Sequence, residues 1–229
     1  MNRFDAMLAA PKTKLFVSLP ANSEEMAAAA LAEGADGIKL HINVGHRASS
    51  HVFGPLADYD ATFRRIRSRF EGPIGIVPGG RPHIAPPEDM AALADIGFDY
   101  ISVFCHHMPS YMLNNQMMAR TFAVDSMFDP GLLEEIQSYG CSGIETSIVP
   151  GDEYGSPLNM KDLLQYRQLA RISGLPLIIP SQRKWTTDDV PALVDCGAKV
   201  LLIGAIVTGK GEESIRRSVA EFRNALDRM

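Results

Sequence analysis

Lys39, His41 and Asn43 alternate with aliphatic residues along Asp36-Gly37-Ile38-Lys39-Leu40-His41-Ile42-Asn43-Val44. Successive side chains of a β-strand point to opposite faces. A strand over 36–44 therefore carries an amine, an imidazole and an amide on one face, with Ile38, Leu40, Ile42 and Val44 on the other. If the polar face points into a closed interior, those groups are costly unless paired or used. A buried lysine loses its charge readily and serves as a base or as a Schiff-base nucleophile. The imidazole can shuttle protons, and the amide can polarise a carbonyl. Asn43 and His46 lie nearest the expected mouth. Glu145, in Gly143-Ile144-Glu145-Thr146-Ser147, is a carboxylate embedded in a second apolar strand and shares a face with Ser147. A Lys39–Glu145 pair would act as an acid–base couple with shifted pKa values, or as an ion pair that holds Lys39 still. Asp125 ends a neighbouring strand, while Arg120 near its start is expected at the far end, away from substrate.

The last quarter of the chain suggests an anion site. One strand runs into Pro180-Ser181-Gln182-Arg183-Lys184 and the next into Gly204-Ala205-Ile206. Backbone N–H groups at Gly204 and Ala205, with Ser181 and the charge of Arg183, are the expected phosphate ligands; barrels often bind phosphate in the loops after their last two strands. Gly204 to Lys210 matches most of a P-loop, but Gly211 replaces the hydroxyl residue that would hold magnesium, so nucleotide hydrolysis is not expected. The histidines do not form an HxH or HExxH pair. A metal would need ligands from several strands, such as His41, His106 and Glu145; no cofactor is expected, and the metal is the weaker alternative.

Alternation is the signal that positions these groups. Aliphatic runs at 14–19, 36–44, 73–78, 98–105, 118–125, 141–149, 175–180 and 199–207 read as strands. Helical patterns follow at 23–34, 58–71, 87–96, 129–139, 159–173, 186–196 and 211–227, and 109–116 reads partly as loop. Gly34, Gly72, Gly97, Gly140, Gly174 and Gly197 fall where helices should end. Asn22, Asp129 and Thr186 stand where helices should begin. Eight strand–helix units predict a single (β/α)8 TIM barrel of eight parallel strands over 1–229, with 1–12 as a helix plugging its base; an open doubly wound sheet is the rival. The longest irregular stretches follow strands, as an active face requires.

Composition narrows the partners. A formal net charge of −5 leaves no basic footprint for nucleic acid, and the run Val200–Val207 is too short to span a bilayer. The N-terminal region carries no extended apolar segment of an export signal. Three cysteines without close pairing, Cys105, Cys141 and Cys196, fit a reducing cytosol. A small phosphorylated metabolite is the expected partner, with neither nucleic acid nor membrane. A barrel of this size is also compatible with homo-oligomers.

The segment 188–206 resembles the last βα unit of the ribulose-phosphate-binding barrel superfamily, whose glycine-containing turn after the eighth strand binds phosphate. Gly34-Ala35-Asp36-Gly37-Ile38 resembles the turn into its second strand. The chain departs from that pattern after the seventh strand, where Ser181-Gln182-Arg183 replaces a glycine-rich turn. Lys39-Leu40-His41 is similar to a fragment of orotidine-phosphate decarboxylases, but Ile42 stands where an acidic residue is expected. Ile74–Pro78 also lacks the histidines and aspartates of the metal-dependent epimerases. The resemblance implies a lyase, isomerase or epimerase acting on a small phosphorylated carbonyl compound. The alternatives are a non-catalytic barrel that binds a phosphorylated metabolite and a metal-dependent hydrolase.

Overall fold

The computed structural model describes residues 2–114 and 117–229. Eight parallel strands close into a barrel: β1 Lys14–Ser18, β2 Gly37–His41, β3 Ile74–Val77, β4 Tyr100–Phe104, β5 Ala119–Val124, β6 Gly143–Thr146, β7 Leu177–Pro180 and β8 Ala198–Ile203. Each pairs with its sequence neighbours, and β8 closes the ring on β1 through Lys14–Val200 to Val17–Ile203. The α-helices are α1 Arg3–Ala9, α2 Glu24–Ala32, α3 Asp60–Ser68, α4 Pro87–Ile96, α5 Met160–Ser173, α6 Val190–Asp195, α7 Ala205–Thr208 and α8 Glu212–Asp227. The fold is a (β/α)8 barrel, as the alternation predicts.

Strand parity sorts the side chains into two cores. Ile38, Leu40 and Ile42 are fully buried and pack outward with Phe63, Leu93 and Val219 of the helices. Burying such side chains stabilises by about 1.5–3 kcal/mol each. The opposite parity points inward. At the N-terminal end the interior is apolar: Phe16, Tyr100, Ile178, Val200 and Leu202 cluster with Phe4 and Leu8 of α1. Phe4 stacks on Tyr100 at 4.0 Å between ring centroids. The rings fit because their neighbours have no side chains. A Cβ at Gly37 would lie 2.4 Å from Phe16 Cζ, and one at Gly75 would lie 2.1 Å from Tyr100 Cζ. The apolar layer fills the base and leaves the polar residues of the next layer facing the other end.

Several boundaries differ from the sequence expectation. β2 stops at His41 rather than at residue 44, because Asn43 adopts a left-handed φ of 53° and its N–H bonds to Gly54 O at 2.9 Å. The chain then forms an antiparallel hairpin of Val44–His46 with His51–Phe53. A second hairpin, Gly79–Gly80 with His83–Ile84, follows β3. β8 ends at Ile203 instead of continuing to 207, and the next residues form the short α7. The segment expected as a helix over 129–139 is a 3-10 helix, Pro130–Tyr139. Between β4 and β5, Cys105–His107 and Ser110–Asn114 are 3-10 turns; the last two residues of the 109–116 segment lie outside the described residues. Ser23, not Asn22, caps α2 by accepting from Met26 N at 3.2 Å. Gly97 and Gly174 close α4 and α5 at φ 103° and 61°, but Gly72 has no positive φ.

Candidate active site

A cavity of about 650 Å³ opens at the C-terminal ends of the strands, within the usual range for small-ligand sites. Lys39 and Glu145 meet in it. β2 and β6 stand opposite each other in the ring, so the pair spans the barrel. Lys39 Nζ donates to both carboxylate oxygens at 2.8 Å. Ser102 Oγ on β4 donates to Glu145 Oε2 at 2.8 Å, and Ser147 Oγ lies 3.4 Å from Oε1. Both charged side chains are under 10 % exposed. Taking two ions out of water costs several kcal/mol each, and only close geometry with extra hydrogen bonds offsets that cost. The contacts here are of that kind. The apolar layer below and the cavity above leave this couple as the charged floor of the site.

His41 lies beside it. The ring is 2 % exposed, stacks on Phe53 at 4.7 Å, and has Nε2 3.4 Å from Ser18 Oγ on β1. Its backbone is fixed from both sides by Asn22, which donates to His41 O at 2.7 Å and accepts from His41 N at 3.2 Å. Among the described residues Nδ1 has no hydrogen-bond partner. Burial holds the imidazole pKa well below its ordinary value, and His46, when protonated, and the Lys39 ammonium push it the same way. His41 is therefore a neutral ring that can both donate and accept. Asn43 and Ser147 also line the cavity.

His46 sits 4.6 Å from His41, with Nδ1 2.8 Å from Ser49 Oγ. Burial, followed by the charge of Lys39, pushes its pKa down to about 4. In the unfolded chain it takes a proton near pH 6.5. Between those pH values the unfolded state binds more protons, so stability is full above about 6.5 and falls as the pH drops toward 4. At pH 5 the loss from this one residue is about 2 kcal/mol, or roughly 4–8 °C in Tm. His46→Asn should remove that part of the decline between pH 7.5 and 5.0 in thermal melts. Equal declines in both proteins would contradict it.

The residues expected to hold phosphate are divided by the fold. Ser181 and Gly204 line the cavity, but the Gly204 N–H already donates to Ser181 Oγ at 2.8 Å. Ala205 is buried at the start of α7. Arg183 points away from the cavity and is 3 % exposed. Its guanidinium donates to both oxygens of Asp162 at 2.7 and 3.0 Å, to Ser156 Oγ, and to Glu153 at 2.6 Å. Arg120 bonds Gly140 O at 3.1 Å near the strand bases, as expected. His106 pairs loosely with Asp125 at 3.7 Å, apart from His41 and Glu145. Among the described residues no group of three or more histidines, cysteines and acids could hold a metal, and no helix is long and apolar enough to cross a membrane.

Some lining residues escape a sequence reading. Ser18 and Ser102 occupy inward positions, Ser18 in register with Lys39, so parity could have found them. Gln182 spans the wall by accepting from Val149 N at 3.0 Å and donating to Tyr154 OH at 2.5 Å. Arg47 and Arg81, in the turns of the two hairpins, carry no sequence signal at all.

The fold is a (β/α)8 barrel with its cavity at the C-terminal face of the strands, where such barrels place their chemistry. No family model matches the chain, and no curated protein matches it in sequence. Solved structures do. Thiamine phosphate pyrophosphorylase from Pyrococcus furiosus is 13 % identical, with 98 % of each chain covered and a TM-score of 0.67. KGPDC from Streptococcus mutans is 13 % identical over 95 % of this chain and 98 % of that one, at 0.67. A mutant tryptophan synthase alpha-subunit from Pyrococcus furiosus is 15 % identical over 93 % and 98 %, at 0.71. At 13–15 % identity the likeness shows the (β/α)8 barrel fold alone.

Proposed function

We propose that the protein is a lyase or isomerase acting on a small phosphorylated carbonyl compound. The observation that carries this reading is the Lys39–Glu145 couple, held at 2.8 Å on the floor of an open cavity with neutral His41 alongside. If the Lys39 proton passes to Glu145, the amine is free to take a proton from the carbon next to a carbonyl, or to add to the carbonyl, expel its oxygen as water and form an imine that then gives up the same proton. Both routes place negative charge on the same carbon. Asn43 and His41 supply polar hydrogens toward the carbonyl oxygen, and Glu145 or His41 returns the proton. Positioned acid–base groups of this kind contribute about 10²–10⁴-fold. The phosphorylated substrate class is supported by the structural neighbours, one of which is named for a thiamine phosphate reaction.

The test is a thermal-shift panel of phosphorylated aldehydes and ketones against their unphosphorylated counterparts, with products followed by mass spectrometry. A ligand at a hundred times its Kd stabilises by about 2.7 kcal/mol, or roughly 5–11 °C. Phosphate-dependent shifts with product formation are expected. Shifts without product would make the protein a binding barrel, and no shift would remove the phosphorylated substrate.

A further inference from the structure

The charges around the cavity are unevenly used. Lys39 is neutralised by Glu145, Arg183 faces Asp162 and Glu153, and the turn after β8 has its Gly204 N–H engaged. Among the described residues two permanent cations remain on the cavity wall, Arg47 and Arg81. Among the described residues, no carboxylate lies within ion-pair distance of either. Both sit in hairpin turns on the β2 and β3 side of the mouth. The hairpins touch at their roots, where a Cβ on Gly79 would lie 3.1 Å from Asn43 Cβ.

Arg47 does more than project into solvent. A Cβ at Gly151 would lie 2.6 Å from its Cζ, so the guanidinium rests against the bare backbone after β6. It crosses the mouth in the same β2-to-β6 direction that Lys39 and Glu145 span at the floor. His46 on this hairpin and His41 at the end of β2 both have pKa values lowered by burial and are uncharged at neutral pH. Asp125, the other lining carboxylate, faces His106 on the β4–β5 side. An anion entering the cavity thus meets its strongest unpaired positive charge at the β2–β3 rim, above the reacting groups.

We infer that Arg47 and Arg81 bind the anionic group of the substrate, so that its phosphate lies at the β2–β3 rim and not at the turns after β7 and β8. This rests on the proposed phosphorylated carbonyl substrate. Guanidinium forks match the geometry of phosphate oxygens and bind them with charge-assisted hydrogen bonds. A phosphate held there leaves the carbonyl end of a small molecule directed to Lys39, His41 and Asn43 deeper in the cavity.

Isothermal titration of the full chain with ribose 5-phosphate, glyceraldehyde 3-phosphate and inorganic phosphate tests this. The variants are Arg47→Gln, Arg81→Gln, Gly151→Ala and Ser181→Ala, each checked for an unchanged melting temperature. Each arginine variant should weaken the tightest phosphorylated ligand by about tenfold or more. Gly151→Ala keeps both charges but displaces the Arg47 guanidinium, and should weaken binding several-fold. Ser181→Ala should leave affinity unchanged. Undiminished binding in both arginine variants, with loss in Ser181→Ala, would overturn the inference and leave the proposed function standing. No binding of any phosphorylated probe to the wild type would overturn both.

Discussion

Lys39→Met should lower stability by about 3–5 kcal/mol, or roughly 6–20 °C in Tm, while Lys39→Met/Glu145→Leu should recover most of that loss. The single variant leaves Glu145 buried with only Ser102 and Ser147 as neutral donors. An unpaired buried carboxylate keeps its desolvation cost and loses the partner that offset it. The double variant removes both ions and fills the layer with apolar atoms above Phe16 and Tyr100. Replacing a buried ion pair by packed hydrophobic residues is often neutral or stabilising. Chemical denaturation of the four proteins in the cycle measures the coupling. A pair kept for chemistry gives this pattern: costly to break, cheap to remove. If the double variant were as unstable as the single one, the couple would be a structural element of the barrel.

Arg183→Ala should cost a similar amount, about 3–5 kcal/mol, with no change in affinity for a phosphorylated ligand. The side chains of Arg183 and Asp162 are each 3 % exposed, and Asp162 also belongs to the capping box of α5. Removing the guanidinium leaves Asp162 without its charge partner and unties the segment around Glu153 and Ser156. Titrations below the lowered melting temperature separate stability from binding. The opposite result, a small change in Tm with a tenfold or greater loss of affinity, would return Arg183 to the anion site.

The difference between these two residues shows what can be read from the chain. Lys39 and Glu145 are legible because strand parity needs only local sequence: each is a charged residue at an inward position in an apolar run, and barrel closure sets β2 opposite β6. The glycine and capping pattern marks the units for the same reason. Arg183 and Arg47 look alike in sequence, both cationic and both just after a strand. Which is paired depends on Asp162, Glu153 and Gly151, brought close only by tertiary contacts. The end of β2 was equally hidden. Alternation continues to Val44 in sequence, but Asn43 tolerates the left-handed conformation and lets the chain turn into the hairpin that carries Arg47.

The most direct test of the proposed chemistry is deuterium incorporation from heavy water into phosphorylated aldehydes and ketones, followed by NMR with the wild type and with Lys39→Met/Glu145→Leu. Proton abstraction and Schiff-base routes both labilise the hydrogen on the carbon next to the carbonyl, so either leaves the label there. The prediction is exchange by the wild type with at least one phosphorylated compound, and its loss by about 10² or more in the folded double variant. Exchange at the wild-type rate in the double variant would show that the Lys39–Glu145 couple does not perform the reaction.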